Sequence, residues 1–96
     1  MYARTSTWKG TPEALESWAR HVSEKVGPMV AGLPDNGGAY FFLDRDQGRA
    51  LTLTLWTSEA AALKSDATAD KSRESTVAAT GVELLERGRF EVVGRV

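Results

Sequence analysis

The chain has no cysteine among its 96 residues, so it forms no disulfide and offers no thiolate nucleophile or zinc–thiolate centre. It has a single histidine, His21, too little for a histidine metal cage, and no metal site is expected. No apolar run approaches the roughly 20 residues of a membrane span, so no membrane partner is expected. Charge of one sign is missing too. Twelve basic and 13 acidic residues leave a net −1, with no field to draw nucleic acid. Residues 1–10 carry Arg4, Lys9 and several hydroxyl residues but no apolar h-region, so no secretory signal is expected and the expected location is cytoplasmic. What is present is 42% hydrophobic and 26% charged, as in globular chains. At this length the expectation is one domain spanning residues 1–96.

Tyr2–Trp8, YARTSTW, reads as a strand. Thr11-Pro12-Glu13 then starts a helix: Thr11 caps free amides, Pro12 suits the first turn, and Glu13 sits at the positive end of the dipole. Leu15, Trp18, Val22 and Val26 make one apolar stripe, and Gly27-Pro28 is predicted to end or kink the helix. Met29, Val30 and Leu33 add a partial turn, and 33–38 reads as loop. Ala39–Leu43, AYFFL, is apolar throughout, as in a strand covered on both faces. After a turn with Gly48 at positive φ, Leu51–Trp56 alternates strictly, so the two runs form a hairpin. Thr57 or Ser58 caps a second helix, predicted to break across Asp66–Ala69 and resume over Lys71–Thr80. Gly81 suits the position past its end. Val82–Val96 is predicted as a long last strand with a bulge at Gly88.

Strand, helix, strand, strand, helix, strand is the split βαβ, ferredoxin-like α+β arrangement with a four-stranded antiparallel sheet. Its helices cover one face. Strands apolar on both faces would leave a large exposed patch. A second copy packed sheet to sheet, giving a homodimeric α+β barrel, is the expected partner.

Strict alternation puts Thr52, Thr54 and Trp56 on one face. Trp56 reads either as a core aromatic or as a flat wall for an aromatic ligand. Two hydroxyls beside an indole suit a phenol or quinone. His21, three residues after Trp18 on one helix flank, reads either as a boundary histidine or as a general base for a phenolic proton. Arg4 and Arg73 are surface cations or stabilisers of a substrate anion. No flavin or metal motif is present, so oxygen chemistry here would need an electron-rich substrate anion and no cofactor. Asp35-Asn36-Gly37-Gly38 lacks both calcium-loop spacing and a phosphate-loop lysine. No G-x-S-x-G occurs, which leaves a serine nucleophile unsupported.

Leu53-Thr54-Leu55-Trp56-Thr57-Ser58-Glu59-Ala60-Ala61 resembles the antibiotic biosynthesis monooxygenase family, small dimeric α+β barrels. Trp56, Ser58 and Ala61 match its pattern of a strand ending in Trp, then Ser, then an alanine-containing helix. The element order agrees over essentially the whole chain. The resemblance implies a ligand cavity between sheet and helices, lined by Trp56, Thr52, Thr54 and Trp18. One branch of the family oxidises polycyclic phenols or anthrones without a cofactor. Where its pattern has Asn, Tyr and Arg, this chain has Thr52, Ala62 and a position near Thr76, with Arg73 one turn earlier. A haem-degrading branch requires a Trp and an axial His where this chain has Ser65 and Ser75, which disfavours haem. Two readings follow. One is a cofactor-independent monooxygenase using His21 and Arg73. The other is a non-catalytic barrel that binds a small hydrophobic ligand or serves as an accessory protein.

Overall fold

The computed structural model describes residues 1–96. Its elements are β1 (Tyr2–Lys9), α1 (Pro12–His21), a π-helical turn (Val22–Val26), α2 (Gly27–Ala31), β2 (Asn36–Asp44), β3 (Arg49–Trp56), α3 (Glu59–Lys64), α4 (Asp66–Thr80) and β4 (Glu83–Glu91). β1 lies inside the sheet, antiparallel to β3 and to β4, and the strand order is β2-β3-β1-β4. This is the ferredoxin-like α+β fold. No helix is long and apolar enough to cross a membrane.

The caps follow from residue type. Thr11 Oγ1 accepts from the Ala14 amide and Ser58 Oγ from the Ala61 amide, each at 3.1 Å. Gly48 takes a φ of 65° in the β2–β3 turn.

Several expectations are corrected. Of the two outcomes expected at Gly27-Pro28, an end or a kink, the helix does not end: it runs on to Ala31. The backbone widens just before the proline, and the Gly27 amide bonds the Val22 carbonyl five residues back. Pro28 has no amide to donate and its ring would crowd a regular turn, so a wide turn ahead of it absorbs both defects. The second helix breaks at Ser65, not across Asp66–Ala69. Ser65 Oγ donates to the Ala62 carbonyl at 2.7 Å, and Asp66 already opens α4 at its positive end. β2 begins at Asn36, whose side chain accepts from the Gly38 amide at 2.9 Å. β4 stops at Glu91, and the register slips opposite Thr7 and Trp8, not at Gly88. Gly88 pairs regularly with Thr5, and a Cβ there would lie 2.5 Å from the Phe90 ring. Its lack of a side chain admits that ring, and no bulge is needed.

Within a single chain β2 is covered on one face only. Phe41 turns inward, where its ring meets Trp18 edge-on at 6.4 Å. Tyr40 and Phe42 turn outward and are 57% and 47% exposed. Under the first helix the core is built from Trp8, Leu15, Trp18, Val22, Val30 and Val82. Most of the apolar burial that stabilises the chain is concentrated there.

Candidate functional site

Alternation aims Arg4, Ser6 and Trp8 of β1 and Thr52, Thr54 and Trp56 of β3 at the helices. Arg4 pairs with Thr54 and Ser6 with Thr52, so the two rows lie side by side. The Trp8 indole N–H donates to Thr52 Oγ1 at 3.2 Å, and the Trp56 N–H donates to Thr54 Oγ1 at 3.0 Å. Each ring is thus satisfied and fixed in orientation by a threonine of the same strand face.

α4 forms the opposite wall with Ala69, Ser72, Arg73 and Thr76. The spacing of three, one and three puts them on one helix flank. All except Arg73 are small, so this flank cannot fill the space in front of the sheet. The π-helical turn and α2 add Val22, Val26, Met29 and Val30. Between these walls lies a cavity of about 50 Å³ open to water. That is room for about one or two waters, so a ligand with several rings requires the walls to part.

Arg4 and Arg73 are the only charged residues lining the cavity, with side chains 12% and 11% exposed. Arg4 bonds Ser65 Oγ at 2.9 Å and the Ala62 carbonyl, and it pairs with Asp66 at 2.5 Å. Its Nε is buried without a partner. Arg73 pairs with Asp70 one turn earlier. No acid lines the cavity: Asp66 and Asp70, which pair with the two arginines, lie outside it. Outside it, the Tyr2 hydroxyl is held above the usual tyrosine range. The nearby Glu59 carboxylate contributes most, followed by burial, and the Glu91 carboxylate, to which the hydroxyl donates at 3.2 Å, contributes less. No cluster of His, Asp or Glu has the makings of a metal site.

The structure brings Thr52, Thr54, Trp56 and Arg73 together, with Arg4. It places Trp18 elsewhere, in the core against Phe41. His21 is half-buried in a separate surface groove between α1 and α4, beside Lys25 and Lys71. Three helical residues turn about 300°, so His21 points about 60° away from Trp18 and the two part company. Val26, Met29, Thr68 and Ser72 line both the His21 groove and the cavity. Sequence reasoning passed over Ser6, Trp8 and Ser72, and met Thr76 only as a position of the family pattern. The signals were present: Ser6 and Trp8 continue the alternation from Arg4, and Ser72 and Thr76 continue the helical spacing from Ala69.

No family model matches the chain. Over 61 residues, 62% of its length, it is 31% identical to the uncharacterized Mycobacterium tuberculosis proteins MT2634 and Rv2557. The matched stretch is 27% of each, so the chain spans about a quarter of these relatives. Solved structures align over nearly everything. One is a Deinococcus radiodurans protein assigned to the antibiotic biosynthesis monooxygenases, with a TM-score of 0.75, 14% identity, and coverage of 100% of this chain and 96% of that one. A monooxygenase from the gene ActVA-Orf6 of Streptomyces coelicolor, in complex with nanaomycin D, gives 0.75 at 14% identity, covering 99% and 89%. SnoaB of Streptomyces nogalater, a cofactor-independent oxygenase, gives 0.66 at 17%, covering 99% and 95%. At such identities the likeness is one of fold: the chain has the antibiotic biosynthesis monooxygenase fold.

Proposed function

We propose that this chain is a cofactor-independent monooxygenase acting on a polycyclic phenol or an anthrone-like aromatic, and that it works in the cytoplasm. The observation that carries this reading is one cavity holding a threonine-pinned Trp56, a second hydroxyl at Thr52, and two largely buried arginines whose partners, Asp66 and Asp70, lie outside the cavity lining. The substrate ring stacks on Trp56, with Thr52 and Thr54 setting its orientation. Loss of a proton makes the ring electron-rich, and Arg4 and Arg73 stabilise the resulting oxyanion. The anion gives electrons to oxygen. One oxygen atom stays on the ring carbon as a quinone carbonyl and the other leaves as water, which balances an anthrone plus O₂.

His21 is assigned the proton. Its groove shares a wall with the cavity, so a ligand that widens the cavity between Val26 and Ser72 moves toward the imidazole. The small resting cavity favours a second reading, a non-catalytic barrel that holds a hydrophobic ligand. We also propose that the working unit is a homodimer packed sheet to sheet. Tyr40, Phe42, Leu85 and Phe90 stand exposed, an apolar burden that a second copy would cover. Light scattering at micromolar concentration checks this, and a monomer there contradicts it.

The functional test is a tryptophan-fluorescence titration with anthrone, 1-naphthol and 1,4-naphthoquinone, followed by oxygen uptake. Saturable quenching weakened in Trp56→Phe, with uptake lost in His21→Ala and Arg73→Gln, is the expected result. Quenching without uptake leaves the binding barrel.

A further inference from the structure

We infer that ligands reach the cavity from the His21 groove, through the seam between α2 and α4, and that the Met29 side chain is the gate that sets which ligands pass and how fast. This rests on the reading of the cavity as a ligand site. The cavity holds about 50 Å³, too little for a fused-ring ligand, so part of its wall has to move for one to enter. That wall is shared with a neighbouring space in two places. At one, Arg4 and Arg73 stand between the cavity and a groove of about 330 Å³ against β4. At the other, Val26, Met29, Thr68 and Ser72 stand between it and the His21 groove of about 280 Å³.

The two places differ in what holds them shut. Arg4 donates to Ser65 Oγ at 2.9 Å and to the Ala62 carbonyl, and it pairs with Asp66 at 2.5 Å; Arg73 pairs with Asp70. Swinging either aside strips a largely buried cation of its partners, which is costly. Met29 has no such tie. Its thioether is unbranched with three rotatable bonds, so it moves between rotamers at little cost. Val26 is fixed in the core. Thr68 and Ser72, one turn apart on α4, are too short to close the gap by themselves. The backbone at this seam is also lightly held. α1 packs on α4, but the π-helical turn and α2 pack on each other and, for α2, on β2, with little contact to α4. A new rotamer at Met29 therefore joins the two spaces without breaking a hydrogen bond or an ion pair. On its outer side the groove meets solvent at Lys25, Lys71 and Ser75, all exposed. A ligand on this route passes His21 before it reaches Trp56.

Stopped-flow tryptophan fluorescence with 1-naphthol and anthrone reads association and dissociation separately. A residue that only lines a site changes chiefly the dissociation rate, whereas a gate changes both rates together. Met29→Ala is expected to raise both about tenfold, with Kd moved less than about threefold, and to speed three-ring anthrone more than two-ring 1-naphthol. Because the chain has no cysteine, Met29→Cys offers a single thiol for benzyl methanethiosulfonate. The benzyl plug is expected to slow both rates about tenfold, and dithiothreitol to restore them in the same sample, which separates gating from misfolding. A change confined to dissociation makes Met29 a lining residue and overturns the inference while the ligand site stands. Faster association in Asp66→Asn/Asp70→Asn, with Met29→Ala unchanged, moves entry to the arginine side and overturns it too. So does a Met29→Cys thiol that stays unreactive while 1-naphthol still binds. An equal gain for the two ligands overturns the sorting by width. If neither ligand binds the parent, the reading of the cavity fails and the inference falls with it.

Discussion

The helix-facing side of the sheet has two unlike halves. Under α1 the space is filled by Trp8, Trp18, Leu15, Val22 and Val30. Under α3 and α4 the buried residues are Trp56, Ala61, Ala62, Ser65 and Thr76. The same β1 and β3 serve both halves, so the strands do not make the difference. The helices do: α1 presents large side chains and α4 presents Ala, Ser and Thr. One half is packed for stability. The other is left partly empty, with polar groups on its walls.

The contrast can be broken from the packed side first. Trp18→Ala should cost about 3–5 kcal/mol in urea unfolding, because a fully buried ring leaves a cavity that its neighbours cannot close. Ala62→Leu comes next, at about 1–3 kcal/mol, since Ala62 is wholly buried with no room for extra carbons. Ala69→Leu sharpens the comparison. It points into the cavity, so it should change stability by less than about 1 kcal/mol while abolishing ligand quenching. Ser58→Ala removes the α3 cap and should cost about 1 kcal/mol, read by the same unfolding.

The smallest effect is at Tyr2. Its folded pKa lies above the unfolded value, chiefly through Glu59. That contribution is complete below about pH 10 and is lost as pH rises through the folded pKa. Tyr2→Phe should therefore lose less stability than the parent between pH 9 and 11, measured by denaturant titration at each pH.

The fold was legible because its signals are local. LTLTLW alternates, Thr11-Pro12-Glu13 and Ser58 announce helices, and the element order selects the topology. Half of the site was legible for the same reason: Thr52, Thr54 and Trp56 follow from alternation alone. Arg4 and Arg73 were visible as cations, but their pairing depends on how α4 lies across β1, which no local pattern encodes. His21 and Trp18 were read as neighbours because three residues make nearly one turn. The missing sixth of a turn puts one in the core and the other at a groove.

The π-helical turn has a consequence of phase. Trp18, Val22, Val26 and Val30 recur every four residues, and all are buried. In a regular α-helix each step of four overshoots a full turn by about 40°, so three steps would carry Val30 about 120° away from Trp18. The wide turn gives back part of that advance, and the stripe stays on the sheet. The helix thus works like a clock with one leap beat. Removing the exposed Ser23 would cancel the beat and rotate everything after it by about 100°. Met29, which roofs the cavity, would swing off it, so a single surface residue sets the hour at which the site's lid faces the sheet.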